Sequence, residues 1–302
     1  MSLLALLAVL PAIVLLVVIY KADNIEKEPI SLMAKVFGLG ALTTISASIL
    51  EELGIFVLSI FFYSANGLYT FFEMFCVVAL AEEAGKYFVL KKATWKNPEF
   101  NFSFDGIVYS VCASLGFATL ENILYVFQGG LSTALLRCIT AVPGHCIFGI
   151  FMGIYYGIAK SCELRGDEAG KKLNLRKALL VPIFFHGFYD FSCTLDYDGM
   201  FLVFILLEIV MTFNAIKIVR KMSKEDMPLA PNMQMPVYAE PQVIPSMYQS
   251  TPVAPSPVPV QASPMPSVTP SDAPLNGTPV GPVNSNPVFT AESIEAGSKP
   301  KY

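Results

Sequence analysis

The sequence predicts an all-α polytopic membrane protein of about seven transmembrane helices, with the N-terminus outside, the C-terminus inside and a disordered C-terminal tail. Three observations support this prediction. Hydrophobic residues make up 54% of the 302 residues and charged residues only 15%, apolar runs long enough to cross a bilayer recur along the first 220 positions, and the basic residues fall in alternate loops. A soluble helical protein is the alternative, and the length of the runs disfavours it.

Each predicted span is a run of about 20 predominantly apolar residues, the length that a membrane-crossing helix needs. In chain order the spans are residues 3–20, 31–50, 68–90, 104–127, 135–159, 178–195 and 201–218. The first has no basic residue ahead of it and no clear cleavage site after it, so we expect an uncleaved span and not a signal peptide. Residues 53–63 are too few to cross unaided, and form either an extension of the second helix or an interfacial segment.

The lysines and arginines predict the orientation, because cytoplasmic loops of membrane proteins are enriched in them. With the N-terminus outside, the inside segments are residues 21–29, 91–103, 160–177 and the part after Lys217. Of the 20 Lys and Arg residues, only Arg137 then lies outside, and Lys35, Lys86 and Lys217 lie within spans near their inner ends. The sequence therefore predicts an integral protein of the plasma membrane.

The chain divides into a transmembrane domain, residues 1–222, and a Pro-rich cytoplasmic tail, residues 223–302. Between Pro228 and Pro300 lie 17 of the 22 prolines. Such a segment cannot bury enough apolar surface to offset its ordering entropy, so we expect disorder. Residues 252–255 have PxxP spacing and could dock in a partner's groove, although a non-binding tether is the favoured interpretation.

Two adjacent acids, Glu82 and Glu83, lie inside the third span, where an ionised group costs ~2.5–3.5 kcal/mol or more. Lys86 follows one turn later and can pair with one acid or the other. The remaining acid suits a general base for water, and an interfacial charge cluster is the alternative. Glu51 and Glu52, by contrast, lie where the second span meets the outer surface, and we interpret them as solvated charges.

The fourth span carries Phe117 and Glu121 on one helix face, with the amide of Asn122 beside the acid. Taken alone, this signal is weak. Glu121 is either part of a polar site or a brace for Arg137 at the outer surface.

The two histidines of the chain, His145 and His186, lie in the fifth and sixth spans. His145 shares a face with small residues at every fourth position, which lets another helix approach closely. His186 and Asp190 are one turn apart, so the carboxylate can fix the tautomer of the imidazole. Simple helix-to-helix hydrogen bonds are the alternative for each histidine, but four successive helices with acids or histidines favour one common site.

These motifs occur in a fixed order on successive spans. They are Glu82-Glu83-x-x-Lys86, Phe117-x-x-x-Glu121-Asn122, His145 with Phe148, and His186-x-x-x-Asp190. The ordered set resembles the PrsW family of intramembrane proteases, relatives of the CAAX prenyl protease superfamily, over about residues 1–220. Two departures from the wider superfamily, Glu121 in place of His and Asp190 in place of Asn, fit the PrsW branch. The resemblance implies a peptidase that cleaves a membrane-anchored protein, such as the single-span anti-sigma factors.

Two mechanisms follow, both with Glu82 or Glu83 as the base that activates water. In the metal-free scheme, His186 oriented by Asp190 donates to the oxyanion, while His145 and Glu121 complete the polar cavity. In the metal scheme, His145, His186 and Glu121 bind one zinc ion, and Glu83 remains the base. The chain has no HExxH motif, so spacing alone does not establish a metal. The resemblance leaves both schemes open, because the family is commonly described as metalloproteases while its relatives are linked to a glutamate mechanism.

Depth along the helices predicts two layers in this site. Counted at 1.5 Å per residue from the inner charges, Glu83 and His186 lie ~12–14 Å deep, and Glu121 and His145 lie ~22–24 Å deep. This count favours Glu82, Glu83 and His186 as the catalytic layer and the other pair as its support.

Two rival functions use the same residue types. Buried acids and histidines also form the proton relays of transporters, although the two halves of the chain show no internal repeat. A protease-like core can also serve as a non-catalytic scaffold. The expected partners are the lipid bilayer, a membrane-anchored protein substrate and a possible ligand of the tail, with no nucleic acid.

Overall fold

The computed structural model describes residues 3–64, 66–195 and 197–229. Its helices are α1 (Leu3–Ala22), α2 (Ile30–Phe61), α3 (Gly67–Phe72), α4 (Ala79–Thr94), α5 (Asp105–Ile139), α6 (Ala141–Leu164), α7 (Glu168–Thr194) and α8 (Met200–Lys224). A π-helical segment, Glu73–Val78, joins α3 to α4. The β-pairing in these ranges is limited to one antiparallel bridge between Phe102 and Pro228. The all-α class is therefore confirmed.

Four helical segments are long and apolar enough to cross a membrane by length and composition. They are α1, α2, the α5–α6 stretch Asp105–Leu164, and α8. The other two predicted spans correspond to α3–α4 and to α7, which carry charged candidate site residues. An integral membrane protein is thus supported, whereas the number of seven spans and their orientation stay predictions.

Several helix bounds differ from the predicted spans. Helix α2 continues to Phe61, so residues 53–61 are its extension and not a separate interfacial segment. Helix α5 runs on to Ile139, with a sharp turn at Gly130, where φ is 71°. Glycine adopts this positive φ at little cost because it has no Cβ. The turn sends residues 131–139 back along the helix, so that α6 begins at Ala141 and not at the predicted residue 135.

Helix α5 is the centre of the helical body, buried along its first half between α1, α2 and α6. Small residues make this close packing possible, because a Cβ at Gly116 would lie 2.0 Å from the Phe37 carbonyl oxygen. The small-residue face predicted on α6 also contacts α5, since Gly153 approaches the backbone of Gly106 and Ile107. Because this face of α6 packs against α5, His145, which lies on it at the same four-residue spacing, also faces protein.

The chain after α8 packs on the helical body. The Ser103 amide donates to the Met227 carbonyl at 3.0 Å, and Asp226 Oδ1 accepts from the Ser103 hydroxyl and the Phe104 amide, each at 2.8 Å. Residues 225–229, at the start of the predicted tail (residues 223–302), therefore contact the helical body, and the boundary between domain and tail stays a prediction. The remainder of the tail, including residues 252–255, lies outside the described residues.

A group of buried acids lies beside this junction. Asp23 and Glu28 follow α1, Asp105 begins α5 and Asp226 follows α8, and all four are buried. Burial, reinforced by neighbouring carboxylates and opposed by Lys27, raises the pKa of Asp23 to about 7. Burial and the Asp105 carboxylate likewise raise the pKa of Glu28 to about 11, and the Tyr109 hydroxyl donates to Glu28. Burial at this end of the bundle therefore favours the protonated form of both carboxyl groups.

Candidate active site

Helices α4, α6 and α7 bring four buried side chains together. Glu82, Glu83, His145 and His186 each place one donor atom within 4.8 Å of the corresponding atoms of the other three. The side chains of Glu82 and Glu83 point about 100° apart around α4, so each carboxylate enters the cluster from a different direction. The π-helical segment precedes Glu82 by one turn, and π-helical turns occur frequently at functional sites.

Lys86 lies among these four residues and joins them. Its Nζ donates to Glu82 Oε2 at 3.1 Å and to Glu83 Oε1 at 2.8 Å, and it lies 3.1 Å from His145 Nδ1. The ammonium also sits 4.0 Å from the centroid of the Phe117 ring. The sequence predicted a pair with one acid or the other, and the fully buried lysine contacts both.

His186 has a carboxylate beside each ring nitrogen. Its Nδ1 lies 2.9 Å from Glu83 Oε1, and its Nε2 lies 3.2 Å from Asp190 Oδ2 and 3.8 Å from Glu82 Oε2. The ring stacks on Phe148, with centroids 4.8 Å apart. The predicted pairing of His186 with Asp190 is therefore present, with Glu83 holding the other nitrogen.

His145 connects the cluster to a second ion pair. Because a lysine ammonium only donates, Nδ1 of His145 must accept from Lys86, and the proton of a neutral imidazole then sits on Nε2. That nitrogen lies 2.9 Å from Glu121 Oε2, which also accepts from Arg137 Nη2 at 2.7 Å. Arg137 Nε donates to Asn122 Oδ1 at 2.9 Å. Glu121 thus both braces Arg137 and contacts the site, combining the two alternatives that the sequence left open.

His145 does not lie in a separate layer from Glu82, Glu83 and His186, as the count along the sequence predicted. Lys86 contacts His145 as well as both acids, and the centroids of the two imidazole rings are 5.2 Å apart. The count along the sequence assumed helices of equal tilt that start at the same depth. Helix α7 in fact begins at Glu168, ten residues before the predicted span.

The compact donor group of the structure differs from the predicted metal ligands His145, His186 and Glu121, which stay a prediction. Among the described residues, the compact donor group contains Glu82 and Glu83 with the two histidines, and it does not include Glu121. Two imidazoles and two carboxylates are donors that zinc accepts. Glu83 Oε2 is buried without a hydrogen-bond partner among the described residues, as an available ligand atom would be. The residues present therefore fit a divalent metal ion in type and spacing.

A cavity of about 720 Å³ opens from this cluster. Glu82, Glu121, His145 and His186 line it, whereas Glu83 does not. Its wall also contains polar or acidic residues that the sequence analysis missed or assigned to the outer surface: Ser48, Glu51, Glu52, Tyr125, Gln128, Tyr189 and Cys193. The apolar run that follows Glu52 was the sequence signal that could have placed Glu51 and Glu52 in the cavity, because a helix that continues to Phe61 has both acids within its length.

Apolar helices around an internal cavity with buried glutamates and histidines define an integral membrane protein with a hydrolase-like site. Comparison with known proteins then gives the family. The family described as "PrsW family intramembrane metalloprotease" matches residues 28–216. This chain belongs to the PrsW family.

Curated relatives carry the name Protease PrsW. The protein from Oceanobacillus iheyensis is 40% identical over 181 residues, covering 60% of this chain and 78% of the relative. The Bacillus subtilis protein is 35% identical over 61% of this chain and 79% of its own length, and the Clostridioides difficile protein is 32% identical over 68% and 85%. No solved structure matches the chain. The protein is thus a membrane peptidase, as its sequence motifs predicted.

Proposed function

We propose that the protein is an intramembrane endopeptidase in which Glu82 activates the water that attacks a peptide bond of a membrane-anchored substrate. The observation that carries this proposal is the position of Glu82, which is the one acid of the adjacent pair that lines the cavity. A general base must reach the water and the substrate. Glu83 is enclosed, with no exposed surface, and is better suited to hold other groups in place.

Glu83 holds the cluster together in this scheme. Its Oε1 contacts both Lys86 and His186, and so fixes a lysine and a histidine from two different helices. Lys86 in turn orients Glu82 and offsets the repulsion between the two acids. Such supporting contacts keep the reacting groups within the narrow geometry that catalysis needs.

His186 is the proposed donor to the oxyanion. It lines the cavity next to Glu82. Glu83 holds Nδ1, and the Nε2–H beside Asp190 is the donor that turns from this carboxylate to the oxyanion in the reaction. A fixed donor beside the attacked carbonyl stabilises the negative charge that develops there. The contacts from Lys86 through His145 to Glu121 and Arg137 place the Glu121 carboxylate beside a counter-ion.

A bound metal ion would be held by Glu82, Glu83, His145 and His186. When bound, it would supply Lewis-acid polarisation of the peptide carbonyl and acidify water. Lys86 already provides one positive charge among these donors, which is why the metal-free scheme remains the working proposal.

The membrane placement, the substrate class and the role of the tail are proposed from the sequence. We place it in the plasma membrane with seven spans, N-terminus out, so that the cavity opens toward the outer surface. The substrate class is a single-span regulator such as an anti-sigma factor. The tail is proposed to be a disordered cytoplasmic segment that takes no part in the chemistry.

Cleavage of a single-span reporter in the same membrane tests the proposal. Wild-type protein should release the reporter's outer fragment, and Glu82→Gln should not, at equal levels of inserted protein. Uncleaved reporter with the wild-type chain, across a panel of transmembrane segments, would favour the transporter or scaffold interpretation.

A further inference from the structure

Two acids of the cavity have no role in the proposed reaction. Glu51 and Glu52, from the second half of α2, line the same cavity as Glu82 and His186. Glu51 is partly buried and Glu52 is exposed. Both therefore face the space that a substrate segment must enter to reach the candidate catalytic groups.

These two acids differ from the other charges of the cavity because they lack a counter-ion. Glu82 is paired with Lys86, Glu121 with Arg137 and Asp190 with His186. Within residues 3–64, 66–195 and 197–229, no ion pair involves Glu51 or Glu52. Glu51 instead lies in the combined field of the like charges of Glu121 and Asp190 and of the cationic groups of His186 and Lys86, which are already paired with other acids. This part of the cavity carries an excess of negative charge.

Water screens that charge only while the cavity is open. A peptide segment that fills the cavity expels water, and an acid left without a partner in such an environment is strongly disfavoured. A lysine or arginine of the peptide would remove the penalty. Its long apolar stem could lie along Ile55, which lines the same cavity, while its charged end reaches the acids.

We propose that Glu51, assisted by Glu52, selects substrates with a lysine or arginine close to the scissile bond. The inference rests on the proposed peptidase site, because it places the scissile bond beside Glu82. A cavity of 720 Å³ has a linear dimension of about 9 Å. One extended residue spans ~3.3–3.6 Å, so the basic residue should lie within about three residues of the cleaved bond.

A charge-reversal experiment in membranes tests this selection. A set of single-span reporters carries Lys, Gln or Glu at each position within three residues of the cleavage site. Wild-type protein is expected to cleave the best Lys reporter at least about 10-fold faster than the Glu reporter at the same position, since like charges brought together are strongly disfavoured. Glu51→Lys should reverse that order, and Glu52→Lys should reduce it.

Two further variants keep the test decisive. Glu51→Gln should cleave the Gln reporter but lose the preference for Lys, which covers the case in which Glu51→Lys fails to fold. Glu225→Lys is the matched control, because Glu225 is an exposed acid after α8 whose neighbour is Lys221, 3.9 Å away. It should leave the preference unchanged.

The possible outcomes separate this inference from the proposed function. Equal cleavage of Lys and Glu reporters by active wild-type protein overturns the inference alone and identifies Glu51 and Glu52 as solvated surface charges. A Lys preference that survives in Glu51→Gln overturns it as well. Wild-type protein that cleaves no reporter overturns the proposed function and this inference with it.

Discussion

Replacing Glu82 and Glu83 separately by glutamine tests the different roles that the structure gives to two adjacent acids. Glutamine keeps the shape of the side chain but cannot accept a proton from water. Glu82 lines the cavity, and Glu83 is sealed between Lys86 and His186. We therefore expect Glu82→Gln to remove activity from a folded protein, and Glu83→Gln to damage the fold and, through it, the activity.

The expected magnitudes differ because the contacts differ. Loss of a general base lowers the rate of cleavage by ~10²–10⁴-fold, which corresponds to about 2.7–5.4 kcal/mol of transition-state stabilisation. In Glu82→Gln, Lys86 still has Glu83 at 2.8 Å, so the loss of stability should be small. In Glu83→Gln, Lys86 and His186 lose the negative charge of the acid that they share, and breaking a buried ion pair costs ~3–5 kcal/mol. At ~2–4 °C per kcal/mol for a domain of this size, Tm should fall by about 6–20 °C.

The assay needs activity and stability from one preparation. Reporter cleavage in reconstituted vesicles gives the rate, and thermal unfolding in detergent gives Tm for wild type and both variants. Cleavage should be nearly absent in Glu82→Gln while its Tm stays within a few degrees of wild type. The assignment is refuted if Glu82→Gln cleaves at a near-normal rate, or if Glu83→Gln keeps a normal Tm but loses all activity, which would make Glu83 the base.

Three other outcomes are expected. Activity should survive strong chelation because Lys86 already supplies a cation to the cluster. A zinc site would instead be shown by about one zinc per chain that is lost when either histidine is replaced by alanine, together with activity restored to the chelated enzyme by zinc alone. Truncation after Leu229 should leave reporter cleavage unchanged. Truncation after Ser223 should lower Tm because it removes Asp226, which accepts two hydrogen bonds. Equal Tm values for the two truncated proteins would show that the contacts of Asp226 contribute nothing to stability. Stability should fall as pH rises from about 4 through 7, because the folded state raises the pKa of Asp23 from 3.8 to about 7 and so binds the proton more tightly than the unfolded chain. In thermal unfolding across this range, Tm should change less with pH in Asp23→Asn than in wild type. The same change of Tm with pH in both proteins would contradict the role given to Asp23.

The sequence by itself was sufficient for features encoded in short stretches of chain. Apolar runs of span length predicted the all-α class, since backbone groups in a bilayer must be satisfied within each helix. Charged residues inside those runs identified Glu82, Glu83, His145 and His186 as candidates, because their cost in an apolar setting does not depend on where the helices lie. One-turn spacing likewise predicted the contacts of Lys86 and of His186 with Asp190.

Only the tertiary structure decided where those helices end and how they are rotated and tilted relative to one another. Spacing along α4 could not show that Glu82 faces the cavity and Glu83 does not, since both directions are compatible with one helix. The turn at Gly130 brought Arg137 back to Glu121, and close packing of α5 against α6 set the height of His145. These arrangements depend on contacts between residues far apart in the chain. Local periodicity carries no information about them, so candidate residues could be chosen from the sequence but their arrangement could not.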